Sequence, residues 1–146
     1  MFGVLLARDD GSLYLTEARS GEDIAVLVGD PHPEILTSSD MFDFWFPSRA
    51  WHERINHVAT EILFAHTNFD ARSVPLLRGN VVVCTRDRLG SPTGITQAQL
   101  DSLSEGPACG RDRRLLGLRC AREEERHEAR LRAIEETAHI ERRYGS

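Results

Sequence analysis

The chain has 146 residues, of which 40% are hydrophobic and 28% charged, and its formal net charge is −5. This length and balance are typical of one folded domain with its own hydrophobic core. No window approaches the ~20 apolar residues of a membrane helix, and the N-terminus lacks the basic start and long apolar core of a signal peptide, so we expect a cytoplasmic protein without a membrane partner.

Charge is distributed unevenly along the chain. Residues 1–110 carry 8 Arg and 15 acidic residues, a net charge of −7, whereas residues 111–146 carry 10 Arg and 8 acidic residues, a net charge of +2. All eighteen positive residues are Arg, which we attribute to codon bias toward high GC content. An acidic body with a faintly basic tail is a poor nucleic-acid-binding surface over its first 110 residues.

The first third predicts a hairpin, a short helix and two strands. An apolar strand is predicted from Phe2 to Arg8, residues 9–12 form a turn, and alternation from Leu13 predicts the returning strand. Ser20 and Gly29 are typical of the start and end of a helix. A strand over residues 34–37 follows, and then an alternating one that contains three aromatic side chains, Phe42, Phe44 and Phe46.

The middle of the chain predicts one long helix and one buried strand. Ser48 is a candidate N-cap for a helix over Trp51–Leu63, because its apolar residues recur at helical spacing: Trp51, Ile55, Val58 and Ile62. The β-branched run from Val81 to Cys84 predicts a strand that is buried on both faces and central to the sheet.

The remainder predicts a short helix and a long charged one. Thr96 and Gln99 match a capping box, which predicts a helix through Leu103. The segment from Ser104 to Gly110, with Gly106 and Pro107, ends this helix and marks the boundary between a compact domain (1–104) and a linker with a charged C-terminal helix (105–146). We therefore predict an α+β fold, with a small mixed or antiparallel sheet covered by helices.

The C-terminal helix carries a narrow apolar stripe formed by Leu131, Ile134 and Ala138. Such a stripe is too narrow for a helix buried in its own domain and suits a projecting helix or a weak coiled-coil seam. Our leading hypothesis is a non-enzymatic regulatory protein that uses these residues and Arg130 to bind a host or phage protein or a second copy of itself.

Two alternatives rest on other side chains. Arg111, Arg113 and Arg114 offer a nucleic-acid contact, which Arg119, Arg122 and Arg126 could extend along the helix. The interleaved Glu123, Glu124 and Glu125 weaken it. The second alternative is a metal-dependent hydrolase whose ligands are spaced four apart, at Glu53, His57 and Glu61. Ordinary salt bridges on a helix surface would give the same spacing.

No motif predicts a catalytic residue or a cofactor. The three cysteines, Cys84, Cys109 and Cys120, form no CxxC pair, and Cys84 lies in the predicted buried strand, where a thiolate is disfavoured. The chain has no GxSxG sequence and no phosphate-binding loop. We therefore expect a protein that is not an enzyme and binds no cofactor.

Five short segments, spread in order along the chain, carry a resemblance to a known family. They are Gly3-Val4-Leu5-Leu6, Leu27-Val28-Gly29, Asn56-His57-Val58-Ala59, Arg78-Gly79-Asn80-Val81-Val82-Val83, and Gly90 with Gly94-Ile95-Thr96-Gln97-Ala98-Gln99-Leu100. Over about residues 3–103 the chain resembles a small domain-of-unknown-function family of bacteriophages, plasmids and their bacterial hosts. The resemblance implies a compact α+β accessory protein of a mobile element, and the Arg-only composition suits an actinobacterial host. The family has no established activity, so it lends no catalytic residue.

Overall fold

The strands of this protein form a single antiparallel sheet with helices on both faces. A computed structural model describes residues 1–38, 42–49, 52–104 and 110–144, with only the backbone of residues 143 and 144. The strands are β1 (Phe2–Ala7), β2 (Leu13–Ala18), β3 (Glu34–Thr37), β4 (Asp43–Phe46), β5 (Val81–Arg86) and β6 (Pro92–Thr93). The helices are α1 (Gly21–Val28), α2 (His57–Ala65), α3 (Gln97–Leu103) and α4 (Gly110–Tyr144).

The sheet confirms the predicted α+β fold and its predicted central strand. The strand order is β2-β1-β5-β4-β3, every pairing is antiparallel, and β6 pairs with the end of β5. Residues Val81–Cys84 are fully buried, as an unbroken apolar run on a middle strand requires. The hairpin of β1 and β2 and the short strands β3 and β4 are also confirmed.

The two faces of the sheet bury separate apolar clusters. The main core lies on the face that α2, α3 and α4 cover, where Val83 and Phe44 of the sheet pack in one cluster with Leu63, Leu103 and Leu116. The smaller cluster on the opposite face joins sheet residues to two side chains of α1, Ile24 and Val28. The alternation of side chains along β5 supplies both clusters, since Val82 and Val83 point to opposite faces.

The predicted helix over Trp51–Leu63 is wrong at its start. Helix α2 begins at His57, and its N-cap is Asn56, whose side-chain oxygen accepts from the Ala59 N–H at 3.0 Å. Ile55 lies before the helix and forms an isolated bridge with Arg78. Ser48 is not a cap; its N–H and hydroxyl both donate to Asp30. Trp51 lies outside the described residues.

Asn56 begins α2 where it does because it also bonds to the end of β1 and to the segment that precedes β5. Its fully buried amide donates to the carbonyls of Ala7 (2.9 Å) and Gly79 (2.8 Å), and its N–H donates to the carbonyl of Leu77. Gly79 has φ +72°, a conformation that favours glycine, and a Cβ there would lie 3.0 Å from Pro47 Cγ. These contacts exist only in the folded chain, so local sequence patterns do not predict them.

The helix ends elsewhere follow their local sequences. Gly29 ends α1 with φ 83°, and Thr96 and Gln99 form the predicted capping box of α3. The Ser20 side chain makes no capping bond in α1; instead Asp23, in the first turn, accepts from the Arg19 N–H. Local hydrogen-bonding groups are sufficient to position these ends.

Helix α4 is continuous over 35 residues and is therefore about 52 Å long. Its Leu116 belongs to the main core, so the beginning of this helix packs on the body. The division of the chain between residues 104 and 110 stays a prediction.

Candidate functional site

The first half of α4 lies on the body through one narrow face. Leu116, Cys120 and His127 are its buried side chains. They recur at spacings of four and seven residues, which places them on one side of a helix. Leu116 packs in the main core, and the buried face of the helix extends as far as His127.

Polar contacts flank this face and fix its orientation. The Arg119 guanidinium donates to the carbonyls of Ala71 and Val74, both at 2.9 Å. Arg78 lies 3.2 Å from Glu123 in a largely buried ion pair. On the other flank, His57 of α2 contacts Glu124. Arg119 hydrogen-bonds two loop carbonyls. We therefore expect its removal to cost more folding free energy than the loss of one surface ion pair would.

The face that binds the body continues beyond the body as an exposed stripe. At ~100° per residue, the three anchoring residues and Leu131, Ile134 and Ala138 fall within a sector of about 60°. Leu131 and Ile134 are 40% and 52% exposed, and Ala138 is half-buried. No described side chain after His127 is buried. We call Leu131, Ile134 and Ala138 the distal stripe; Arg130 is exposed beside it.

The predicted nucleic-acid residues do not all lie together. Arg111, Arg113 and Arg114 are exposed, but only Arg111 and Arg114 line an open groove, which they share with Arg72. Arg113 is about 160° from Arg111 around the helix. The structure therefore places two of the three predicted side chains in one groove.

A second groove brings Arg78 together with three arginines of α4. Its volume is about 420 Å³, and its lining includes four arginines and one glutamate, Arg78, Arg119, Arg122, Arg126 and Glu123. We call it the basic groove. The three arginines of α4 recur at helical spacing, and this spacing is visible in the sequence. Arg78 comes from a segment far away along the chain, and no pattern in the sequence places it beside them.

The predicted metal ligands do not lie on one helix. Glu53 precedes α2, which begins at His57, and His57 is already in contact with Glu124. Within residues 1–38, 42–49, 52–104 and 110–142, no group of three His, Cys, Asp or Glu side chains could hold a metal ion. The premise of the hydrolase alternative, four-residue spacing on one helix face, is therefore wrong.

The two described cysteines are poor nucleophiles. Burial raises the pKa of the Cys84 thiol to about 12, and it raises the pKa of Cys120 to about 11. Both thiols are free and buried, so neither is a reactive thiolate at neutral pH. Cys109 lies outside the described residues.

Comparison with known proteins adds no assignment. No protein-family model matches the sequence, and neither the curated proteins nor the solved structures contain a match. Among the helices of the described residues, none is both long and apolar enough to cross a membrane.

Proposed function

We propose that this protein is a non-enzymatic accessory or regulatory protein of a phage or plasmid, and that it acts in the cytoplasm by binding another protein through the distal stripe. The observation that carries the proposal is the continuity of one helix face. That face is buried up to His127, and from Leu131 onward none of its described side chains is buried. The assignment to a mobile element and to an actinobacterial host rests on the resemblance and the Arg-only composition.

The anchored half of α4 supports this proposal because it presents the distal half without a flexible joint. Residues 128–144 are helical and extend for about 25 Å. A helix held in this way loses little conformational freedom on binding, which lowers the entropic cost of association. Leu131 and Ile134 would enter a groove of the partner at helical spacing, and Arg130 would lie at the polar rim.

A double substitution of the distal stripe tests the proposal. Leu131→Glu/Ile134→Glu keeps good helix formers at exposed positions, so the body should fold unchanged. The matched control is Ile140→Glu, because Ile140 is equally exposed but lies about 150° away around the helix. We expect tagged wild-type protein and the control to retain the same proteins from an actinobacterial lysate, and the double variant to lose them. Retention of the same set by all three would contradict the proposal.

The basic groove favours a second candidate function, contact with nucleic acid. Four arginines and one glutamate give it a formal charge of +3 in a protein whose net charge is −5. Arg side chains bind phosphates in pairs of hydrogen bonds. Arg122 and Arg126 are exposed in this groove, and an Arg122→Ala/Arg126→Ala variant should reduce the salt dependence of duplex binding by about two phosphate contacts. Arg132→Ala, on another side of α4, is the control; binding that is undetectable at low salt would eliminate this candidate.

A further inference from the structure

We propose that the edge strand β2 pairs with β2 of a second copy of this chain, so that one sheet continues across a dimer. Strand β2 is at the end of the strand order, and among the described strands only β1 pairs with it. Three consecutive large side chains are exposed there: Leu13 (48%), Tyr14 (49%) and Leu15 (61%). These side chains belong to β2 and not to α4, so the surface shares no residue with the distal stripe.

The backbone of β2 offers unused hydrogen-bonding groups in the right places. At the hairpin end, the Arg8 N–H donates to the Ser12 carbonyl at 2.9 Å, so residues 8 and 12 are a hydrogen-bonded pair. Such pairs alternate along an antiparallel ladder. Tyr14 and Thr16 therefore bond toward β1, while the N–H and C=O groups of Leu13, Leu15 and Glu17 point outward from the edge.

The side chains of β2 continue an apolar surface that ends uncovered. Leu15 lies opposite Leu5 and Leu13 lies opposite Ala7, and both partners belong to the main core. Side chains that are directly opposite share one face of a sheet, so Leu13 and Leu15 extend the face of the main core. Their exposure means that the described helices on this face leave Leu13 and Leu15 uncovered.

Most of the usual protections of an edge strand are missing from the first four residues of β2. The strand contains no Pro, its one charged residue is Glu17 near its end, and its register with β1 runs without a bulge from Phe2 opposite Ala18 to Ala7 opposite Leu13. The other edge differs: β3 has four residues, begins with Glu34, and follows Pro33. A regular six-residue edge whose first four residues are uncharged is the kind that pairs with another strand.

The sequence of β2 favours a second copy as the occupant because it is self-complementary about Tyr14. An antiparallel two-fold there places Leu13 opposite Leu15 of the second copy and Tyr14 opposite its own equivalent. It also makes four main-chain hydrogen bonds from the outward groups of Leu13 and Leu15. If the two-fold lay at Leu15 instead, Glu17 would face Leu13 of the second copy. That register leaves a carboxylate beside apolar surface.

Solution mass of the full chain tests the pairing. We expect a dimer by analytical ultracentrifugation, and at least tenfold weaker dimerisation in Leu13→Lys/Leu15→Lys. The matched control is Ile35→Lys, because Ile35 is also 48% exposed but lies on β3; it should not change the dimer. The Leu131→Glu/Ile134→Glu variant should also remain dimeric, so failure of the distal stripe and failure of the β2 edge give different results. A monomer at every concentration, or a dimer that survives the β2 change, would overturn the proposal.

A cysteine crosslink tests the register and does not depend on a destabilising change. Tyr14 faces its own equivalent in a non-hydrogen-bonded pair, where Cα atoms are ~4.5 Å apart, within disulfide reach. In a Cys109→Ser chain, whose other cysteines are buried, Tyr14→Cys should form a covalent dimer under mild oxidation, whereas Glu17→Cys should not. Equal crosslinking of both variants, or of neither, would refute a two-fold at Tyr14.

Discussion

Substitution of Leu116 measures how firmly α4 is anchored to the body. Leu116 is 2% exposed and part of the main core, whereas Leu118, two residues later, is 57% exposed. Leu116→Ala removes three carbon atoms, a loss of about 2.4 kcal/mol of transfer free energy at ~0.8 kcal/mol per buried carbon. The cavity left behind adds a further term of about 1 kcal/mol. We expect Leu116→Ala to lower the free energy of unfolding by about 3–4 kcal/mol.

Urea denaturation of the full chain, followed by circular dichroism, is the assay. Leu118→Ala is the matched control, since it truncates the same side chain on the exposed side of the same helix and should change stability by less than ~0.5 kcal/mol. Hydrogen exchange should show faster exchange across α4 in the Leu116 variant alone. Equal stabilities of the two variants would refute the reasoning, because they would mean that α4 contributes nothing to the core.

Three further predictions concern the interior. Asn56→Ala removes a helix cap, worth about 1 kcal/mol, and leaves two buried carbonyls without their donor, at about 1–3 kcal/mol each. Urea denaturation should therefore show a free energy of unfolding lowered by about 3–7 kcal/mol. A decrease below about 1 kcal/mol would contradict the hydrogen bonds of Asn56. Gly79→Ala should lower the melting temperature, because an Ala at φ +72° is strained and meets Pro47, whereas Gly117→Ala, in open space within α4, should raise it. Burial raises the pKa of Cys84 to about 12, so the thiol ionises in the unfolded chain before it does in the folded one. The stability should be fully present below pH 9 and decrease as the pH rises from 9 toward 12. A thiol reagent at pH 8 should label Cys84 only after unfolding, and rapid labelling of the folded protein would contradict its burial.

The parts of the fold that sequence predicts well are those that local chemistry determines. The β-branched run of β5 and the capping box of α3 each depend on residues within a few positions of one another. The start of α2 was missed because Asn56 is held by Ala7 and Gly79, which are 49 and 23 residues away along the chain.

The candidate site shows the same division. Helical spacing alone identified Leu131, Ile134 and Ala138 as one stripe. The spacing does not tell where the body ends along the helix, because that depends on Leu116 and on the contacts of Arg119 with residues more than 40 positions earlier. The contribution of Arg78 to the basic groove was missed for the same reason, since Arg78 reaches the groove from outside the helix.

Site-specific photocrosslinking in living cells tests most directly whether a protein covers the distal stripe. A photoreactive phenylalanine analogue would replace Ile134, on the stripe, or Ile140, which is equally exposed on another side of the same helix. We predict a crosslink to a distinct protein from position 134 and none to that protein from position 140. Identical crosslinks from both positions, or none from position 134 in the native host, would contradict the account.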